Sequence, residues 1–288
     1  MHKAIIPFLS IFMLTGYILK PYQKTFLTGE QTTVADVLRE LGEAPPKHYI
    51  AEVDTAKVKM GEDIIRKGFT IKPDGSKSLL VSNYFVCTDC HNTVRESKDA
   101  ADLNPDNRMD YIREKGLKYL PGSTFWGITN RTSWFNDDYY KKYGEVVKEA
   151  NQSLEKSIQL CSRECSCGRD LEDWEMEAVM HYYTSLQLTI ADLNLEDSDI
   201  KNLQYIKDEE GYREQMKALL KSKYVIAYPA TFVEPISTEN RKKGTEGDAV
   251  KGEFIFENSC LHCHDLDRVC KTIFAEGEKD ASWLVGYF

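Results

Sequence analysis

The sequence predicts a mainly α-helical protein built from two similar helical units. Apolar residues recur every three or four positions in two long segments, residues 57–67 and 171–186, as the buried face of a helix requires. A Gly-Glu pair stands in a helical segment at Gly61 and again at Gly252, and each segment is followed by a Cys-x-x-Cys-His pentapeptide. This internal repeat indicates that one kind of helical unit occurs twice.

The composition is that of an acidic globular protein after residue 30. The 288 residues include 46 Asp and Glu against 37 Lys and Arg, a formal net charge of −9. This length suits one or two domains. The acidic excess repels nucleic acid and anionic lipid, so we expect no nucleic-acid partner and favour a basic protein partner.

Residues 1–20 predict an export signal. A basic start is followed by sixteen mostly apolar positions, from Ala4 to Leu19, and then by Lys20. Pro7 lies inside this run, which disfavours a buried first helix. No small-x-small triplet stands near its end, so the segment is either cleaved or kept as a membrane tether. We expect a periplasmic or secreted protein, or one tethered to the outer face of the cytoplasmic membrane.

The remaining chain divides into four segments. Residues 21–49 predict a leader with a short helix, and residues 50–187 predict the first domain, whose last helix has Asp170 available as N-cap. Residues 188–245 predict a linker that packs on the domains, with short helices near 197–205 and 211–223 and a Pro-containing extended stretch. Residues 246–288 predict a second domain.

The two pentapeptides carry the chemistry. They are Cys87-Thr88-Asp89-Cys90-His91 and Cys260-Leu261-His262-Cys263-His264. Two thiols at this spacing lie one helical turn apart, which suits the two vinyl groups of haem, and the adjacent histidine is directed at the iron. A zinc site or a cytosolic dithiol is disfavoured, because each pentapeptide follows its own helix in an exported chain. The pattern predicts two molecules of haem c, attached through the four cysteines, with the histidines His91 and His264 as iron ligands.

Two helices that bracket such a motif are typical of cytochrome c domains. We therefore expect a mainly α fold with tandem cytochrome c-type domains, the second of them truncated. Only 24 residues follow His264, with no methionine or histidine among them. Either the sequence is a fragment that continues past Phe288 in the natural protein, which we favour, or the second haem is open or takes Cys270, a lysine or Met216 as ligand.

The loop before the last helix of the first domain contains no methionine, the usual sixth ligand there. It contains three thiols instead, at Cys161, Cys165 and Cys167, together with Arg163 and Arg169. One interpretation is a disulfide between two of the thiols. The other is a thiolate bound to the haem iron, helped by arginines that lower the thiol pKa. Met109 is an alternative donor, whereas Met176 and Met180 fall inside the last helix and are expected to pack in the core.

At this loop and helix the sequence resembles the dihaem thiosulfate dehydrogenases and, more distantly, the cytochrome A subunit of the sulfur-oxidation system. The matching residues are Ile158, Cys161, Arg163, Gly168, Leu171, Glu175, Met176, Ala178, Tyr182 and Leu186. The resemblance implies a haem with His/Cys ligation in which Cys161 is the ligand. Cys165, Cys167 and a long insertion between residues 103 and 150 depart from the family pattern and leave the substrate open.

We therefore predict an exported dihaem cytochrome c that performs electron transfer. Electrons would pass from a low-potential His/Cys haem to the second haem and on to a redox protein partner. The alternative is an oxidoreductase that acts on a small sulfur anion such as thiosulfate, held near Cys161 by Arg163 or Arg169. Fold and cofactor alone do not decide between a carrier and an enzyme.

Overall fold

The computed structural model describes residues 24–25, 29, 31–135, 139–140, 143–206, 210–227 and 248–261. The fold is mainly α, as the sequence predicts. Its α-helices are α1 Val34–Glu40, α2 Thr55–Lys67, α3 Cys87–Cys90, α4 Pro105–Lys115, α5 Val146–Ala150, α6 Leu154–Leu160, α7 Asp173–Ser185, α8 Asp197–Gln204, α9 Glu210–Ser222 and α10 Ala249–Ile255. Short 3-10 helices at Ile128–Asn130 and Ile190–Asp192, π-helical turns at Cys161–Cys165 and Phe256–Cys260, and an antiparallel pair β1 Lys24–Thr25 with β2 Tyr205–Ile206 complete the described elements.

Helices α2 and α7 cross and form the frame of the first unit. The Asp54 carboxylate caps α2, and Gly68 ends it with a left-handed φ of 74°. Gly61 lies at the crossing, where a Cβ atom would stand 2.1 Å from the carbonyl oxygen of Ala178. Only glycine allows the two backbones to approach so closely. The core around this crossing includes Ile64, Ile65, Phe125, Leu154, Leu171, Met176, Ala178, Val179, Met180, Tyr182 and Tyr183.

The start of α7 differs from the sequence prediction. Glu172, not Asp170, is its N-cap. The Glu175 carboxylate accepts a hydrogen bond of 2.9 Å from the Glu172 N–H. Asp170 pairs with Arg163 instead.

The predicted leader and linker helices share a second core. Helix α1 packs with α8 and α9, and the helices predicted near 197–205 and 211–223 are confirmed. The buried side chains of this core are Val34, Val37, Leu38, Leu41, Ala100, Leu188, Ile190, Leu193, Leu203, Met216, Leu220 and Tyr224. We call α1, α8 and α9 the helical layer. Backbone hydrogen bonds connect it to the first unit, from Val225 N to Ala100 O at 3.0 Å and from Thr132 N to Ile226 O at 2.9 Å.

Parts of several predictions lie outside the described residues. They include the export signal, the Pro-containing stretch 228–235, and Cys263, His264 and Cys270 of the second domain. Helix α10 and Cys260 are described, and the predicted helix before the second pentapeptide is confirmed. Within the residues that are described, no helix is both long and apolar enough to span a membrane.

Candidate functional site

A cavity of about 850 Å³ opens beside the crossing of α2 and α7. Its lining brings together Cys87, Cys90, His91, Cys161 and Cys165, which are widely separated in the sequence. Apolar side chains make up much of the remaining wall, including Ile64, Ile65, Phe125, Leu154, Leu171 and Tyr183. A largely apolar cavity of this size with a few convergent polar groups is typical of cofactor sites.

The short helix α3 positions the first pentapeptide. Its turn is closed by the His91 N–H, which donates to the Cys87 carbonyl at 3.0 Å. At its start the Asp89 carboxylate accepts from the Val86 N–H at 2.9 Å. Burial, followed by the neighbouring Cys90, raises the pKa of Cys87 to about 12. Cys87 is therefore a neutral thiol directed into an apolar wall.

One ring nitrogen of His91 is fixed by the backbone. His91 Nδ1 lies 2.6 Å from the carbonyl oxygen of Ser123, and a carbonyl can only accept, so Nδ1 carries the proton. Burial lowers the pKa of His91 and keeps the imidazole neutral. The Phe125 ring stacks on it with centroids 4.4 Å apart. Nε2 is thereby left with its lone pair, the form in which histidine binds a metal.

The loop that holds His91 is itself tightly fixed. A Cβ atom at Gly122 would stand 2.4 Å from His91 Cε1, so glycine is required there. The Gly122 N–H donates to the Cys90 carbonyl at 2.8 Å. Arg108 donates to the carbonyls of Leu120 at 2.9 Å and Gly122 at 3.3 Å.

A buried ion pair supports the same loop. Arg108 pairs with Glu96 at 3.0 Å, and the Glu96 side chain is only 5% exposed. Glu96 also accepts from the backbone N–H of Thr124 and from the Asn92 amide. Sequence reasoning missed Gly122, Ser123 and this pair, and the Pro121-Gly122 dipeptide was the one local signal of a turn at this place.

The cysteine loop supplies sulfur atoms to the cavity. Helix α6 continues into the π-helical turn Cys161–Cys165, which places both of its end cysteines on the cavity wall. A hydrogen bond between these two thiols, and then burial, raises the pKa of Cys161 well above its ordinary value. Cys167 is an exposed thiol with a left-handed φ of 50° and does not line the cavity.

The two arginines of this loop do not act as the sequence suggested. Arg169 forms a bidentate ion pair with the fully buried Glu175, both contacts at 2.7 Å, and donates to the carbonyls of Leu79 and Leu80. Arg163 pairs with Asp170 on the surface. Neither arginine lines the cavity, and the expectation that they lower the pKa of Cys161 is wrong. Both guanidinium groups pair with nearby carboxylates and not with the thiol.

The methionines considered as ligands lie elsewhere. Met176 and Met180 pack in the core of the first unit, as predicted, and Met216 is buried in the core of the helical layer. Met109 is 3% exposed, on the inner side of α4. None of the four lines the cavity, so Cys161 and Cys165 are its candidate sulfur ligands besides Cys87 and Cys90.

Arg131 adds a positive charge to the cavity wall. Its guanidinium is buried and donates to the Thr124 carbonyl at 2.7 Å and to Ser123 Oγ at 3.2 Å. Among the described side chains, no group of three or more His, Cys, Asp or Glu is arranged to hold a metal ion.

The comparisons give no relative for this chain. It matches no protein-family model, no curated protein and no solved structure.

Proposed function

We propose that the protein is an electron carrier that binds one haem c in this cavity, attached through Cys87 and Cys90 with His91 as an iron ligand. The observation that supports this proposal most strongly is that the cavity brings together Cys87, Cys90 and His91. The Nε2 atom of His91 is left as the metal-binding nitrogen. A second haem c would be held by Cys260, Cys263 and His264. The proposal includes export, because covalent haem attachment takes place outside the reducing cytosol, and a basic redox protein as partner.

The residues of the cavity fit this cofactor. The donors are a neutral imidazole and thiols, which are the groups that bind and attach haem in c-type cytochromes. Gly122 leaves the space that the His91 ring needs, and Ser123 fixes its tautomer. Arg131 would offer its charge to a haem propionate. Haem iron supplies one-electron redox chemistry, while the apolar wall limits the access of water to it.

We further propose that Cys161 is the sixth ligand, with Cys165 as the alternative. The support is that both thiols line the cavity, whereas Met109, Met176 and Met180 do not. A thiolate ligand would give this haem a low reduction potential, so electrons would leave it for the second haem. Cys167 is exposed and away from the cavity, so it is the least suited of the three.

The enzyme alternative has less support from the cavity. A thiosulfate-like anion was to be held by Arg163 or Arg169, and both guanidinium groups are paired with carboxylates. Electron transfer therefore remains the proposed function.

Electron paramagnetic resonance of the exported protein tests the ligand assignment. A low-spin ferric haem with a thiolate ligand has a narrow spread of g values. We expect Cys161→Ala to abolish this signal and Cys167→Ala, the control, to leave it unchanged. Loss of the signal in Cys165→Ala with an unchanged Cys161→Ala spectrum would assign the ligand to Cys165. If the unfolded chain carries no added haem mass in mass spectrometry, the proposed function is wrong.

A further inference from the structure

Two sulfur atoms of the cysteine loop lie next to each other at the edge of the cavity. Cys161 and Cys165 both line it, and a hydrogen bond, not a disulfide, joins their side chains. The two residues differ in access, because Cys165 is exposed to solvent whereas Cys161 is half-buried. The pair therefore offers one sulfur atom to solvent and one to the cavity.

The spacing of the two cysteines is close to that of a disulfide. Four residues of a regular helix rise by about 6 Å, and the Cα atoms of a disulfide are usually about 4.4–6.8 Å apart. The Cβ atoms of a disulfide are about 3.5–4.5 Å apart, whereas Cβ atoms four positions apart on a helix are separated by about 5–6 Å. A bridge between Cys161 and Cys165 therefore requires the π-helical turn to tighten by roughly 1–2 Å.

The contacts of the loop allow this movement on its solvent side. The Ser166 carbonyl, directly after the turn, accepts a hydrogen bond of 2.5 Å from Ser82 Oγ. Gly168 packs so closely on the same segment that a Cβ atom there would stand 2.3 Å from the carbonyl oxygen of Val81. The far end of the loop is thus fixed, whereas residues 163–165 are exposed and can move toward the cavity.

We propose that Cys161 and Cys165 form a thiol–disulfide exchange site for a small external disulfide, and that the bridge between them removes the sulfur ligand of the haem. The exchange depends only on the two cysteines, whereas its effect on the iron rests on the proposed function. A sulfur atom held in a disulfide has no thiolate charge for the iron. The effect is the same whether Cys161 or Cys165 is the ligand, because the bridge takes both.

The external disulfide is the only co-reactant that the exchange needs. The exposed Cys165, as thiolate, attacks it, so that a mixed disulfide forms and one thiolate of the reagent leaves. Cys161 then loses its proton and attacks the Cys165 sulfur, which releases the second thiolate. The two cysteines are oxidised by two electrons and the external disulfide is reduced by two. The two protons lost by the cysteines end on the two released thiolates, and an external dithiol reverses both steps.

Cys167 provides the matched control. It is an exposed thiol two positions after Cys165, and it does not line the cavity. A bridge between Cys165 and Cys167 would be strained, because only one residue separates them. Cys167→Ala should therefore leave both the exchange and its effect on the iron unchanged.

The test uses the exported protein, incubated with oxidised glutathione, alkylated at its remaining thiols and digested with trypsin. Trypsin cleaves after Arg163, so Cys161 and Cys165 fall in different peptides, residues 157–163 and 164–169. We expect mass spectrometry to find these peptides cross-linked in the parent and in Cys167→Ala, and separate in Cys165→Ala. Cross-linked peptides in Cys165→Ala would overturn the pairing, because Cys167 would then be the partner of Cys161.

Electron paramagnetic resonance of the same samples measures the effect on the iron. We expect oxidised glutathione to abolish the narrow-g signal, and the signal to return after treatment with dithiothreitol and removal of the reagent. If haem is attached but no cross-link forms, the exchange site is wrong and the proposed function stands. A cross-link that leaves the signal unchanged would show that the bridge does not remove the ligand. Cross-linked peptides from a chain without haem mass would support the exchange site and end the proposed function.

Discussion

Gly61 and Gly252 occupy equivalent places in the helices that precede the two Cys-x-x-Cys-His segments, yet their surroundings differ completely. A Cβ atom at Gly61 would overlap the backbone of α7, whereas at Gly252 nothing described lies within 4 Å. The first helix is thus half of a crossed pair, and the second contacts the first unit through Lys251 and Phe254 on another face. The comparison teaches that a Cys-x-x-Cys-His segment does not fix the packing of the helix in front of it, which separate residues encode.

The largest difference between the two regions is expected when the cysteines of the two pentapeptides are removed. We expect Cys87→Ala with Cys90→Ala to remove one haem, and Cys260→Ala with Cys263→Ala to remove the other, as counted by mass spectrometry of the unfolded chain. Because the first site is enclosed by the frame, its loss should lower the unfolding temperature more than loss of the second does. Equal decreases would mean that the first haem stabilises the protein no more than the second does.

The next largest effect is expected at the buried ion pair between Arg169 and Glu175. Arg169→Met leaves the Glu175 carboxylate buried without its guanidinium, and we expect a loss of about 3 kcal/mol in the free energy of unfolding. Arg163→Met is the matched control, because its pair with Asp170 is exposed and should contribute less than about 1 kcal/mol. Denaturant unfolding measures both. Equal losses in the two variants would contradict a structural role for Arg169.

The two glycines themselves give the smallest and most direct test. Gly61→Ala should push α2 away from α7 and cost about 1–3 kcal/mol. Gly252→Ala meets open space in α10 and should stabilise that helix by up to about 1 kcal/mol, because alanine is the better helix former. Circular dichroism during denaturant unfolding separates the opposite signs. A destabilising Gly252→Ala would show that α10 is also packed on that face.

Helical periodicity predicted the elements well because it depends only on neighbouring residues. The helices around residues 57–67, 171–186 and 211–223 all form. The grouping of Cys87, Cys90 and His91 on one cavity also follows from their spacing.

The rest depends on contacts between distant residues, which no local pattern contains. Ser123 holds His91 from 32 positions away, and Gly122 is required only because that ring lies against it. The expectation that Arg163 and Arg169 lower the pKa of Cys161 was wrong for a related reason. Each is paired with a carboxylate once the loop folds, and neither lines the cavity.

The helical layer has a consequence for how the protein matures. Leu188, Tyr224 and Val225 form part of the cavity wall, and they come far later in the chain than Cys87 and Cys90. A chain is made and exported from its N-terminus, so under the proposed export the two thiols would leave the channel while this wall is still missing. The enzyme that attaches haem would meet an open groove, and the closing of the layer over it would be the last step of assembly.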